Sequence, residues 1–291
     1  MKFQFYGHDS FICKHFWLKK GYDFIQQDGN FNDEDAVVGL GVGKNMVTSI
    51  SFWLKAFGIT EGSNEISRIG HYLFNDQNGK DPYIENIGTL WLLHYYLIKT
   101  EKASIYPLFF NEFRREKHEF TKDQFAKFIT KKAEESKTSA NTIQGDIAVF
   151  IRSYLAGDYK NSKADIEDEF SNLLRDLELM ESYQVENSDG KNIEWYRVQN
   201  ANRTDLPSNI VLYSILDNVA YGKSIPFREL LTGYNSPGAI FALNEEGLYQ
   251  KIEEITSTHK NIVYKETSGV RELQIKGNIN KDEILNGYYQ N

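Results

Sequence analysis

Val47, Ile50, Leu54 and Phe57 recur at three- and four-residue steps, which gives the segment after Asn45 one apolar helical face. Before it, the acidic run Asp33-Glu34-Asp35 opens a short helix and the glycines from Gly39 to Gly43 break it. Residues 33–59 therefore read as two helices joined by a tight turn, with Asn45 capping the second. After Gly58 the chain passes Ile66 and Tyr72-Leu73-Phe74 to the turn-rich Asn75–Lys80, which predicts the end of a hairpin or wing. Ile87–Ile98 and Ile105–Phe113 predict two further helices.

The plan then repeats. Thr121 caps a helix running to Glu135 with Phe125, Phe128 and Ile129 inward, and Ser139 or Asn141 caps the next, which carries Ile143, Ile147, Phe150, Ile151 and Tyr154 on its inner face. A helix over Ile166–Leu177 leads into Tyr183–Val185, Asn187-Ser188-Asp189-Gly190 and Glu194–Val198, where Asp-Gly between strand-like runs signals a hairpin. Residues 199–208 are polar, contain Pro207 and read as a linker. Beyond them come helices Asn209–Ala220, Pro226–Leu231 and Glu245–Ile255, then strands Asn261–Lys265 and Gly269–Ile275. Helices followed by a hairpin, three times over, predict a mainly α chain with small β-hairpins: tandem winged-helix-like (helix-turn-helix) units over 1–113, 114–200 and 208–291.

Composition narrows the function classes. With 41 % hydrophobic residues, 19 Phe, 18 Tyr and 4 Trp in 291 residues, the chain can bury substantial cores, which excludes wholesale disorder or a coiled coil. The single cysteine, Cys13, excludes an internal disulfide and a thiol-rich metal site. That cysteine usage, a start without an apolar leader and the shortness of every apolar run predict a cytoplasmic protein with no membrane contact. The net charge of −8 is unevenly spread: residues 1–113 sum to −3, 114–163 to +4 and 164–291 to −9. The basic middle is the segment suited to a phosphate backbone, and the acidic C-terminal segment, 164–291, to protein.

Candidate chemistry is sparse. Gly39-Leu-Gly-Val-Gly-Lys44-Asn45 suggests a phosphate loop, but Val38 stands where the first glycine is needed and Asn45 where Ser or Thr would follow the lysine, and no strand precedes it. The glycines are read as a helix–helix turn. His8, Cys13 and His15 lack the spacing of a metal site, and His71, His94, His118 and His259 are scattered. Glu135-Ser-Lys137, Asp158-Tyr-Lys160 and Asp189-Gly-Lys191 match the acid-x-lysine letters of metal nucleases, yet fall at a helix end, in a loop and in a turn. No cofactor and no catalytic residue are expected. The helix-turn-helix segments remain: Lys44, Asn45, Thr48, Ser49 and Phe52 as exposed positions of the first, and Ser139, Asn141, Thr142, Gln144 and Arg152 of the second. The basic helix with Lys122, Lys127, Lys131 and Lys132 precedes the second set.

Phe5-Tyr-Gly-His-Asp-Ser-Phe11, Trp17–Asp23, Ala36–Met46, Phe52–Phe57, Asp81-Pro-Tyr-Ile-Glu85 and Gly88–His94 resemble the bacterial family catalogued as domain of unknown function four thousand and seven. The likeness extends to Ser236-Pro-Gly238 and Ser268–Leu273. The resemblance implies an association with genes for proteins like phosphoadenosine-phosphosulfate reductase, in DNA sulfur modification or phage defence. The Ser-Gly-Gly-x-Asp-Ser loop of those reductases is missing here, so the chain is not expected to be one. Together these observations predict a non-enzymatic component that binds double-stranded DNA through Lys44, Asn45, Thr48, Lys127, Lys131, Lys132, Asn141, Thr142, Gln144 and Arg152, or scaffolds a reductase-like or other defence enzyme. The alternatives are an adaptor that never touches DNA and, more distantly, a metal-dependent nuclease.

Overall fold

The computed structural model describes residues 3–62, 64–134, 138–155 and 172–290, and the chain divides into two compact units, Met1–Val198 and Gln199–Asn291. It is mainly α-helical with small antiparallel sheets.

The first unit opens with an irregular segment followed by α1 (Trp17–Gln26), α2 (Ala36–Leu40) and α3 (Lys44–Ala56). Gly41, at φ +61°, closes α2 in the left-handed conformation that glycine tolerates best. The cap of α3 is Gly43 rather than Asn45, which already lies inside the helix. A two-stranded ribbon, β1 (Thr60–Glu61) with β2 (Glu65–Ile66), follows. The wing expected near residue 75 is absent: α4 (Arg68–Phe74) occupies Tyr72–Phe74. Ser67 Oγ accepts the Gly70 N–H at 3.0 Å and starts that helix, so a local cap outweighs strand propensity. The Asn75–Lys80 turn leads instead toward α5 (Ile87–Lys99), a largely buried helix capped by Asn86.

The chain continues through α6 (Ile105–Leu108), a π-helical turn over Phe109–Phe113 and α7 (Arg114–Glu116) to β3 (Glu119–Phe120). Thr121 forms a capping box with Gln124 at the head of α8 (Lys122–Lys132), and Ser139 caps α9 (Ala140–Tyr154). The hairpin of β4 (Glu181–Glu186) and β5 (Asn192–Arg197) completes a sheet of order β3-β5-β4, with Tyr183 opposite Trp195. Asn187 Oδ1 accepts the N–H groups of Asp189 and Lys191, fixing the turn that Asp-Gly predicts. Of the expected helix Ile166–Leu177, only residues from 172 onward are described, and Arg175–Leu177 form a 3₁₀ turn.

The boundary expected at residue 113 does not separate two cores. Phe109 packs on Phe120 at 5.3 Å and on Phe150 at 4.6 Å, and Phe113 on Phe125 at 4.7 Å, all nearly or fully buried. The π turn places Phe109, Phe110 and Phe113 inside together, so helices before and after the boundary share one aromatic core.

The second unit runs α10 (Ser208–Asp217), β6 (Ser224–Pro226), α11 (Phe227–Thr232), α12 (Pro237–Ile240), α13 (Glu245–Thr258), β7 (Ile262–Thr267), β8 (Val270–Ile275) and α14 (Lys281–Tyr289). Its sheet order, β6-β8-β7, repeats the arrangement of the first unit's three-stranded sheet. Ile210, Leu212, Leu230, Leu248, Ile252 and Leu273 are fully buried. The expected linker folds into this unit: Ala201 donates to Ala242 O at 3.0 Å and accepts from Asn244 N at 3.1 Å, and Leu206 is buried. Among the described residues no helix is long and apolar enough to cross a membrane.

Candidate nucleic-acid interface

α8 presents Lys127 and Lys131 to solvent on a face set by its buried Phe125, Ala126 and Ile129. Together with Gln144 of α9, these two lysines line one shallow groove, shared with Ala126, Thr130, Asp123 and Glu134. The two carboxylates offset part of the lysine charge, so the face is less basic than the segment sum suggests. Asn141 is exposed one turn nearer the start of α9.

Three expected contacts are engaged elsewhere. Lys132 is ion-paired with Glu112 and lies 5.6 Å over the Phe128 ring. Thr142 is within 2.9 Å of Ser139 Oγ and completes the cap of α9. Arg152 donates through its guanidinium to Ser10 O at 2.6 Å, while remaining exposed. Lys122 stands 3.7 Å from Glu194 and over Tyr196 at 5.5 Å, a brace between helix and hairpin.

On α3, Lys44, Asn45 and Thr48 are exposed at the amino end, but Ser49 and Phe52 are buried, contrary to expectation. The N-terminal segment covers them. Ser49 Oγ donates to His8 O, and Phe52 meets the His8 ring edge-on at 5.6 Å. From the other side Asp146 of α9 accepts the Tyr6 N–H at 2.9 Å and stands 3.2 Å from His8 Nε2, with both side chains 4 % exposed. The segment is thus clamped between α3 and α9. It holds four residues at positive φ, namely Tyr6, Gly7, Asp9 and Ser10, a costly local conformation that only surrounding contacts maintain.

Sequence reasoning missed Asp146. A carboxylate three residues after Ile143 and one before Ile147 sits on the inner face of a helix, which was the available signal that it has a buried partner. Nearby, burial pushes the Tyr154 and Tyr106 hydroxyls well above their ordinary range. Tyr154 is 2.9 Å from His94 Nδ1 and Tyr106 is 3.1 Å from Ser153, so both are neutral elements of the core. His94 is packed among Trp91, Phe110 and Tyr154. Among the described residues no three His, Cys, Asp or Glu side chains converge as a metal site. Glu135–Lys137 and Asp158–Lys160 lie outside the described residues, and Asp189-Gly-Lys191 is the hairpin turn.

The groove between α8 and α9, lined by Lys127, Lys131 and Gln144, is the first unit's candidate interface. The protein belongs to the family described as protein of unknown function (DUF4007), matching over residues 5–289. It is similar to the crystal structure of SspB, with 26 % identity and a TM-score of 0.83 across 99 % of this chain and 88 % of SspB. It is likewise similar to that of magnesium ion-bound SspB, at 25 % identity with the same score and coverage. No curated protein matches the chain.

Proposed function

We propose that this protein is a DNA-binding or scaffolding component of a bacterial DNA-modification or phage-defence system, cytoplasmic and without catalytic activity of its own, and that its helix-turn-helix groups are winged-helix-like units. The observation that carries the reading is the groove where Lys127 and Lys131 of α8 meet Gln144 of α9. Helix-turn-helix proteins place the later helix of the pair in the major groove while the earlier one crosses the backbone. In that pose the lysines neutralise phosphates, and Asn141 and Gln144 offer amide groups to base edges. Lys44, Asn45 and Thr48 supply a second, weaker contact. The association with reductase-like genes that the sequence resemblance implies makes such an enzyme the partner in this proposal.

Fluorescence anisotropy with a labelled duplex across a salt series tests this. A few phosphate contacts give a log–log slope of roughly −3 to −5. Replacing Lys127 and Lys131 by Glu abolishes measurable binding, whereas Lys44→Glu costs about 1 kcal/mol. Lys132→Gln changes affinity less than about twofold, because Glu112 already holds that lysine. A salt-independent signal, or none at low salt, replaces the DNA reading with the adaptor.

The magnesium ion in one of the similar SspB structures favours a second reading, a magnesium-dependent nuclease. Magnesium is often held by only one or two carboxylates and keeps several waters, so it does not require a three-residue cluster. Supercoiled plasmid incubated with the protein and magnesium, with a chelator control, decides the matter: metal-dependent conversion to nicked circles overturns the non-enzymatic reading.

A further inference from the structure

A second recess lies on the first unit, lined by residues from the ends of α3 and α5, the β1 strand and the N-terminal segment. It has a volume of about 610 Å³ and its lining includes Lys55, Lys99, Lys102, Thr60, Tyr96 and Phe52, within the range of small-molecule sites. Glu61 is the one acidic side chain in its lining, so the three lysines leave an excess of two positive charges. Lys55 and Lys102 form no ion pair with any described residue, and Lys99 lies 5.6 Å over the Tyr96 ring. Thr60 is 7 % exposed, and its hydroxyl has no hydrogen-bond partner among the described residues. Gly58 and Gly62 line the recess at φ +70° and +59°; a Cβ on Gly58 would come within 3.0 Å of Tyr96, whereas one on Gly62 would meet only open space.

Lys55 and Lys102 without ion-pair partners among the described residues, an unsatisfied buried hydroxyl and aromatic walls in one concavity are the parts of an anion site with room for a flat ring. We infer that this cleft binds the phosphate monoester of a nucleotide. Lys55 and Lys102 hold the phosphate, the Thr60 hydroxyl donates to it, and Tyr96 and Phe52 form the wall for the base. The inference is independent of the DNA groove, since no residue is shared between the two linings. The same chemistry comes from a free mononucleotide or from the 5′-phosphate of a DNA strand end, and the test separates them.

Titration calorimetry at low salt uses adenosine 5′-monophosphate, adenosine and inorganic phosphate as probes. The nucleotide binds at least tenfold more tightly than adenosine. Replacing Lys55 and Lys102 by Gln weakens it at least tenfold, and Thr60→Val about fivefold, with far-UV circular dichroism unchanged. The Lys127→Glu/Lys131→Glu variant retains full nucleotide affinity, which keeps this result distinct from the fate of the DNA reading. Short single strands bearing a 5′-phosphate or a 5′-hydroxyl then identify the source. A phosphate preference lost in the Lys55/Lys102 variant assigns the site to strand ends, and nucleotide binding without that preference assigns it to free nucleotides. Absence of both nucleotide binding and 5′-phosphate preference, or nucleotide binding untouched by the lysine replacements, overturns the inference.

Discussion

Replacing Asp146 by Ala tests whether the clamp on the N-terminal segment stabilises the first unit. The side chain is 4 % exposed, accepts the Tyr6 N–H through both oxygens at 2.9 and 3.2 Å, and stands 3.2 Å from His8 Nε2. A hydrogen bond to a charged group contributes about 1.5–3 kcal/mol net, and a buried donor left without an acceptor costs about 1–3 kcal/mol. The two contacts share one side chain and are not additive, so the expected loss is about 3 kcal/mol. Asp146→Asn preserves volume and one acceptor oxygen and should lose about half as much. Urea unfolding followed by tryptophan fluorescence is a selective assay, because Trp17, Trp53, Trp91 and Trp195 all lie before residue 199 and the signal reports the first unit alone. Trp53 also stacks on His8 at 5.9 Å and senses the clamp directly. A loss below about 1 kcal/mol for the Ala variant would refute the assignment and make the segment an ornament on α3 and α9.

Gly7→Ala should destabilise the same unit by about 3 kcal/mol, read as a lowered Tm. The residue sits at φ +136° and an added Cβ would lie 2.5 Å from Phe52 Cδ2, so backbone strain and overpacking combine. Burial raises the Cys13 thiol well above its ordinary range. A raised thiol pKa keeps the group neutral at pH 8, so a thiol-specific reagent should find no reactive cysteine in the native protein and one in urea. Thr60→Val should raise stability by about 1 kcal/mol in the absence of ligand, since it removes a buried hydroxyl that has no partner among the described residues, at nearly constant volume. A fall in midpoint there would show that the hydroxyl is satisfied.

What could be read from the sequence was local. Thr121 and Ser139 announce α8 and α9 because a short side-chain oxygen caps the residues immediately after it, and Asp189-Gly190 announces the β4–β5 turn because glycine there takes φ +74°. The same reasoning misplaced the first cap by two residues, since Gly43 and Asn45 are both acceptable and only the backbone decides. The burial of Ser49 and Phe52 was illegible for a different reason: their partner His8 lies more than forty residues earlier, and helical periodicity carries no information about what covers the far face. Of the candidate interface, the placement of Lys127, Lys131 and Gln144 in one groove follows from adjacent helices. The engagement of Lys132 by Glu112 and of Arg152 by Ser10 depends on tertiary neighbours with no local signature.

The charge distribution becomes more specific once the units are known. Residues 164–198 hold ten acidic and three basic groups, whereas 199–291 hold eleven and nine, so most of the acidity assigned to the C-terminal part belongs to the first unit. The helices preceding the two hairpins nonetheless differ in what they offer. α9 has Asp146, turned inward, and Arg152, exposed, as its charged residues. α13 carries Glu245, Glu246, Glu253 and Glu254, and its one basic residue, Lys251, is 5 % exposed and 3.6 Å from Glu254. A helix with that outer surface is repelled by a phosphate backbone at any salt concentration low enough for phosphate contacts to matter. Under the proposed function, the shared element order therefore does not imply a shared ligand. On that proposal DNA would go to the α8–α9 groove, and the acidic outer surface of α13 with its exposed Tyr249 would suit the second unit to a protein contact.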